Sequence, residues 1–312
     1  MRTAYTALAV LPIVLSSACG GADKAADAAA PPALTLDQAK GVLTEYQTAA
    51  AKAAAALDPA LLTPVETGPQ LQMDTAAFKL HKATKKKREA VTFTDPVFYV
   101  PRIAEGRQRW FAVDAQSGGD TRHALLFVQD GGEGGTWKLA ADPRRKETTP
   151  LKGVTLDAEG YAESATDGLA LKPDQLAGAH ATLLTDGPEA AGAKGLAAGP
   201  QTTDTHAMIQ KINTGLGQAG VTFSTSFAPA GTGSYALRTD NGGAFVWYVL
   251  RQQEAYAGDK VPVAGDLLGL APKGKVKNLT ATTLIQYLAD VPTTGDATVK
   301  AVSRKAVEAQ AS

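Results

Sequence analysis

One cysteine, Cys19, occurs in the 312 residues. That scarcity excludes an intramolecular disulfide and any zinc or iron–sulfur site built on several cysteines. Histidine is also rare: His81, His123, His180 and His206 stand at no metal-ligand spacing and read as structural or surface residues. No metal or other cofactor is therefore expected. Neither sign of charge is in excess, with 31 Lys and Arg against 31 Asp and Glu, which argues against a nucleic-acid partner. A G-x-S-x-G nucleophile elbow is missing, and no Ser-His-Asp set can be singled out from the order of residues alone. The expectation is a protein that is not an enzyme.

What is present begins at the N-terminus. Arg2 precedes an uncharged, mostly apolar stretch from Ala4 to Leu15 that contains Pro12 and is too short to cross a bilayer. Ser16-Ser17-Ala18 then leads into Cys19. Small residues followed by cysteine at the end of such a stretch resemble the lipobox of bacterial lipoproteins, although Ser16 holds the place usually taken by Leu. The resemblance implies a signal peptide over 1–18, cleavage before Cys19 and a diacylglyceryl group on its sulfur. Each buried methylene of such an anchor contributes about 0.8 kcal/mol. Residues 19–33, rich in Gly, Ala and Pro, read as a flexible tether.

The remainder reads as two tandem copies of one domain, 34–150 and 151–312. Ala33-Leu34-Thr35-Leu36-Asp37-Gln38 aligns with Ala170-Leu171-Lys172-Pro173-Asp174-Gln175. Asp74-Thr75 aligns with Asp204-Thr205, Val91-Thr92-Phe93 with Val221-Thr222-Phe223, and Phe111-Ala112-Val113 with Tyr235-Ala236-Leu237, all in one order. Each copy opens with two helices: 37–57 (with Thr35 as N-cap) and 73–86, then 173–184 and 204–216. Met73, Ala76, Ala77 and Leu80 share one helical face, as do Ala207, Met208 and Ile212. Strands follow at 91–100, 109–115, 123–129 and 136–140, then at 221–228, 235–239, 244–252 and 297–307. Ser117-Gly118-Gly119, Gly131 to Gly135 and Asp240-Asn241-Gly242-Gly243 mark hairpin turns. The second copy carries an insertion at about 253–295, with a short helix expected near Thr282–Leu288. The fold class is α+β, a helix packed on a curved antiparallel sheet in each copy. In Phe245-Val246-Trp247-Tyr248-Val249-Leu250 both faces are apolar, so this strand is expected to be covered on both sides.

Leu-Thr-Leu-Asp-Gln-Ala, Phe-Thr-Asp-Pro-Val-Phe-Tyr-Val-Pro-Arg, Trp-Phe-Ala-Val and Leu-Leu-Phe-Val followed by Trp-Lys-Leu complete a wider likeness. With the lipobox, they make the chain similar to a family of actinobacterial lipoproteins, mostly from Streptomyces, that shares a domain of unknown function. The likeness spans the mature chain and rests on framework residues, so it implies no catalytic residue. The helix-on-sheet plan also looks like the cone of nuclear-transport-factor-like or cystatin-like domains.

Four features remain as candidate sites. Gly215-Leu216-Gly217-Gln218-Ala219-Gly220 spells G-x-G-x-x-G, but a helix precedes it and a strand follows. That is the reverse of a dinucleotide fingerprint, so these glycines end a helix. Lys85-Lys86-Lys87-Arg88 is the densest charge run; it reads as a solvated helix end, or more sharply as a contact with anionic headgroups or wall polymers. Trp110, Phe127, Tyr235 and Trp247 are the candidate lining of a cone pocket, the rest of the aromatics being core. Asn278-Leu279-Thr280 matches a glycosylation triplet that has little weight in a bacterial chain.

These readings converge on a lipoprotein held on the extracytoplasmic face of the cell membrane through Cys19. Its role would be binding, without catalysis, of an envelope protein or an apolar ligand. The alternative is an extracytoplasmic enzyme or small-ligand carrier that uses the cone cavity.

Overall fold

Thr35 begins the first helix as a reciprocal capping box. Its Oγ1 accepts from the Gln38 amide at 3.2 Å, while its own amide donates to Gln38 Oε1 at 2.8 Å. A cap of this kind stabilises a helix by about 1 kcal/mol. The computed structural model describes residues 30–132, 134–231 and 233–312. The expected signal peptide, Cys19 and residues 20–29 lie outside the described residues. Ala30 to Ala33, read from sequence as tether, are held. Ala33 N donates to Pro101 O, Ile103 N to Pro31 O, and the Arg102 guanidinium to Ala30 O.

Four α-helices are formed among the described residues: α1 (Leu36–Ala56), α2 (Gly68–Thr84), α3 (Pro173–Asp186) and α4 (Thr203–Gln218). The strands are β1 (Thr94–Tyr99), β2 (Trp110–Gln116), β3 (Thr121–Asp130), β4 (Thr136–Ala141) and β5 (Arg144–Lys146) in the first half. The second half supplies β6 (Thr222–Pro229), β7 (Tyr235–Arg238), β8 (Ala244–Val263), β9 (Gly274–Val291) and β10 (Thr298–Ala311). The anticipated hairpin glycines join β2 to β3, β3 to β4, and β7 to β8. Of the glycines expected to end a helix, Gly215 and Gly217 lie within α4, while Gly220, at φ +74, follows its end two residues before β6, a position glycine occupies without steric cost.

All ten strands belong to one curved antiparallel sheet in the order β1-β2-β3-β5-β10-β9-β8-β6, with β4 beside β3 and β7 beside β8. The two halves of the sheet meet at the β5–β10 junction, where Val302 pairs with Arg144. In each half a side chain of the first helix accepts from a phenylalanine amide at or just before the first strand, although the two phenylalanines are not the pair aligned in sequence. Phe93 N donates to Gln47 Oε1 on α1, and Phe227 N donates to Thr185 Oγ1 on α3, both at 2.9 Å.

The sheet curls so that the two halves share a core. Phe245, Trp247 and Leu288 join the cluster built by α1, β2 and β3, while Val246, Tyr248 and Leu250 pack against α3. The strand of β8 is therefore covered on both faces, as its sequence requires.

Three expectations are corrected. Thr282–Leu288 is not a helix but part of β9, and the segment 253–295 is mainly the outer half of β8, a turn and β9. Alternate residues of β9 are buried on opposite faces (Leu284 and Leu288 on one, Ile285 and Tyr287 on the other), which erases the period-two pattern from the sequence. On α4, Met208 and Ile212 are exposed; Ile209 faces the α3 core and Leu216 the outer end of the β8–β9 arm. The cone of a nuclear-transport-factor-like or cystatin-like domain has no counterpart in two separate units here, because the halves continue one sheet.

Candidate functional site

Helix α2 lies across β4 and β10, packing Met73 and Ala76 onto Leu284 and Val307. Beside them Gln70, Asp74 and His81 of α2 line a cleft of about 450 Å³ between α2 and the β5–β10 junction. Its permanently cationic groups are Arg88, Arg144, Arg304 and Lys305, with the His81 imidazole beside them; its acidic groups are Asp74, Glu89 and Asp142. Arg88 turns inward, donating to Asp74 at 2.5 Å and stacking over Phe78. Arg144 pairs with Asp142 at 3.1 Å yet keeps its side chain about half exposed. Arg304 donates to Gln252 Oε1 at 3.3 Å.

A buried polar chain forms the floor. Asp142 N donates to Gln286 Oε1 at 2.8 Å, Gln286 Nε2 donates to Gln70 Oε1 at 3.0 Å, and Gln70 Nε2 donates to Asp74 at 3.2 Å. The chain therefore ties the first half to β9 of the second. At its end Glu66 is 1% exposed and accepts from the Tyr46 hydroxyl at 3.3 Å. Burial and then the neighbouring Asp74 carboxylate push the Glu66 carboxyl up to about 10, so it is a neutral acid at pH 7. Its Oε2 has no partner at full hydrogen-bond geometry.

Asp142 also faces the other way. Its Oδ1 lies 2.7 Å from His123 Nδ1, and His123 Nε2 lies 2.5 Å from Ser117 Oγ. Burial disfavours the Asp142 charge, but Arg144 and His123 together outweigh it and hold the carboxyl below its ordinary value. An ionised carboxylate can only accept, so the Asp142 contact selects the imidazole tautomer with its proton on Nδ1, in which Nε2 is the acceptor facing the serine hydroxyl. The order of residues did not single out these three, because they come from a turn, a strand and a strand break, far from any known motif.

Of the residues singled out from sequence, Lys85, Lys86 and Lys87 are exposed beyond the C-terminus of α2, next to the cleft, and Arg88 lies within it. Trp110, Tyr235 and Trp247 come together where the halves meet, with Trp110 5.5 Å from Tyr235 and 6.4 Å from Trp247. Phe127 is on the opposite face of the first half, stacked on Phe111 at 4.9 Å and edge-on to Tyr46 of α1. These four rings are not brought to one pocket wall: three pack against each other and the fourth belongs to the α1 core. Cys19 lies outside the described residues. No helix among the described residues is long and apolar enough to cross a membrane.

A family model described as a domain of unknown function (DUF8094) matches residues 30–311. Two uncharacterized lipoproteins of Streptomyces coelicolor are similar to the chain. One is 31% identical over 285 residues, covering 86% of this chain and 83% of the relative. The other is 28% identical over 237 residues, covering 70% of this chain and 64% of the relative. No solved structure matches.

Proposed function

The chain belongs to the DUF8094 family, whose members include actinobacterial lipoproteins of unknown role, and on that premise we propose that it is itself a lipoprotein. Lipid on Cys19 holds it at the extracytoplasmic face of the membrane, and the folded body binds an acidic envelope partner through the α2 cleft. The observation that carries the anchor is the likeness to a lipoprotein over 86% of the chain, together with small residues leading into Cys19. What supports the binding surface is the group of Arg88, Arg144, Arg304 and Lys305 in the cleft, with the exposed Lys85, Lys86 and Lys87 directly preceding Arg88 in the chain. On this reading the two halves descend from two copies of one unit whose last strands, β5 and β10, now pair.

Cys19→Ala should release the protein from the membrane fraction; retention there removes the anchor from the account. Binding of the unlipidated Cys19→Ala chain to anionic vesicles should weaken with salt and fall at least about tenfold when Arg144→Gln and Arg304→Gln are added. Equal binding to neutral and anionic vesicles would remove the cleft's role.

A further inference from the structure

Ser117 directly follows β2 at the Gly118-Gly119 turn, His123 is on β3, and Asp142 lies in the break between β4 and β5. The sheet brings the three into one hydrogen-bonded line. His123 and Asp142 are buried, at 1% and 4% exposure, whereas Ser117 is partly exposed. The carboxylate is fixed from several directions: Arg144 holds Oδ2, Gln286 accepts from the Asp142 amide, and Ser303 Oγ donates to the Asp142 carbonyl at 2.7 Å. The imidazole is fixed as well, with the Phe93 ring edge-on at 5.0 Å. A rigid, buried base thus points its free nitrogen at the one group of the line that solvent reaches.

We propose that Ser117, His123 and Asp142 form an acyl-transfer site that hydrolyses carboxylic esters. Ser117 is the nucleophile, His123 the general base and then the general acid, and Asp142 a positioning residue that keeps the Nδ1–H tautomer. Space above the turn is open: a Cβ added to Gly118 or Gly119 would meet nothing within 4 Å. Both glycines have positive φ, +67 and +53, and neither amide has a protein acceptor among the described residues. These amides are the donors nearest in the chain to an oxyanion forming on the Ser117 adduct.

The reaction needs only water as co-reactant. Ser117 Oγ bonds to the ester carbonyl carbon as its proton passes to His123 Nε2. The carbon–oxygen bond to the alcohol then breaks, and the alcohol leaves with that proton. Water attacks the acyl-serine, again giving a proton to Nε2, and the acid departs as Ser117 Oγ takes the proton back. This activity goes beyond the binding role proposed above and does not depend on it: Ser117 and His123 do not line the α2 cleft.

The test uses the full chain purified in detergent, a fluorophosphonate probe with peptide mapping, and p-nitrophenyl acetate as substrate. The adduct should fall on Ser117. Ser117→Ala, with thermal unfolding unchanged, should abolish the adduct and slow ester hydrolysis by at least about 100-fold. Asp142→Asn should depress labelling and alter its pH profile. If folded wild-type protein gives no adduct at Ser117, or Ser117→Ala hydrolyses the ester at the wild-type rate, the proposal is wrong.

Discussion

The indole Nε1 of Trp247 on β8 donates to the carbonyl of Ala124 on β3 at 2.9 Å. This bond joins residues from opposite halves in the shared interior, where Trp247 is 1% exposed. The halves should therefore unfold together. A single cooperative transition is expected by both circular dichroism and tryptophan fluorescence, and Trp247→Ala should destabilise that transition by about 3–5 kcal/mol. Two separate transitions, only one moved by the substitution, would show that the halves are independent.

His180 on α3 should make the second half acid-sensitive. Burial pushes its imidazole down to about 4. The ring sits neutral between the Tyr248 hydroxyl and the Gln201 carbonyl, each at 2.8 Å. In the unfolded chain the same group binds a proton near its ordinary value of 6.5. Between those values the unfolded state holds more protons, so stability falls as pH drops from about 6.5 to about 4, by about 3 kcal/mol in total. Denaturant titrations across that range should show the slope, and His180→Gln should flatten it.

Glu66 works in the opposite direction. Its carboxyl keeps a proton up to about pH 10 when folded, against an ordinary value of 4.5. The folded state therefore holds more protons between those values, and stability declines as pH rises through that interval. Glu66→Gln keeps the size and the neutral, donating head. It should be more stable than wild type at pH 8 by at least about 1 kcal/mol, and the difference should vanish near pH 4. Urea midpoints at the two pH values measure this directly.

The elements marked by local chemistry were legible in the sequence. Thr35 with Gln38 announced α1, and the paired glycines after Ser117 and Asn241 announced their hairpins, because caps and turns depend on nearby residues alone. The strand Phe245–Leu250 also showed its two-sided burial. What stayed hidden depends on contacts between distant residues. Thr282–Leu288 looked helical since both faces of β9 are apolar. Met208 and Ile212 looked like core because a helical stripe does not say which neighbour covers it. Ser117, His123 and Asp142, like Glu66, Gln70 and Gln286, carry no spacing signal; only the curl of the sheet brings them together. The Arg88 side chain, read with its lysine neighbours as surface, is drawn inward by Asp74.

The central claim is a protein held at the membrane by lipid on Cys19. Mass spectrometry of the N-terminal peptide from the membrane-associated protein tests it most directly. The account predicts a chain that begins at Cys19 and carries a diacylglyceryl thioether on that sulfur. A chain that is uncut, or cut elsewhere with Cys19 as a free thiol, would contradict it.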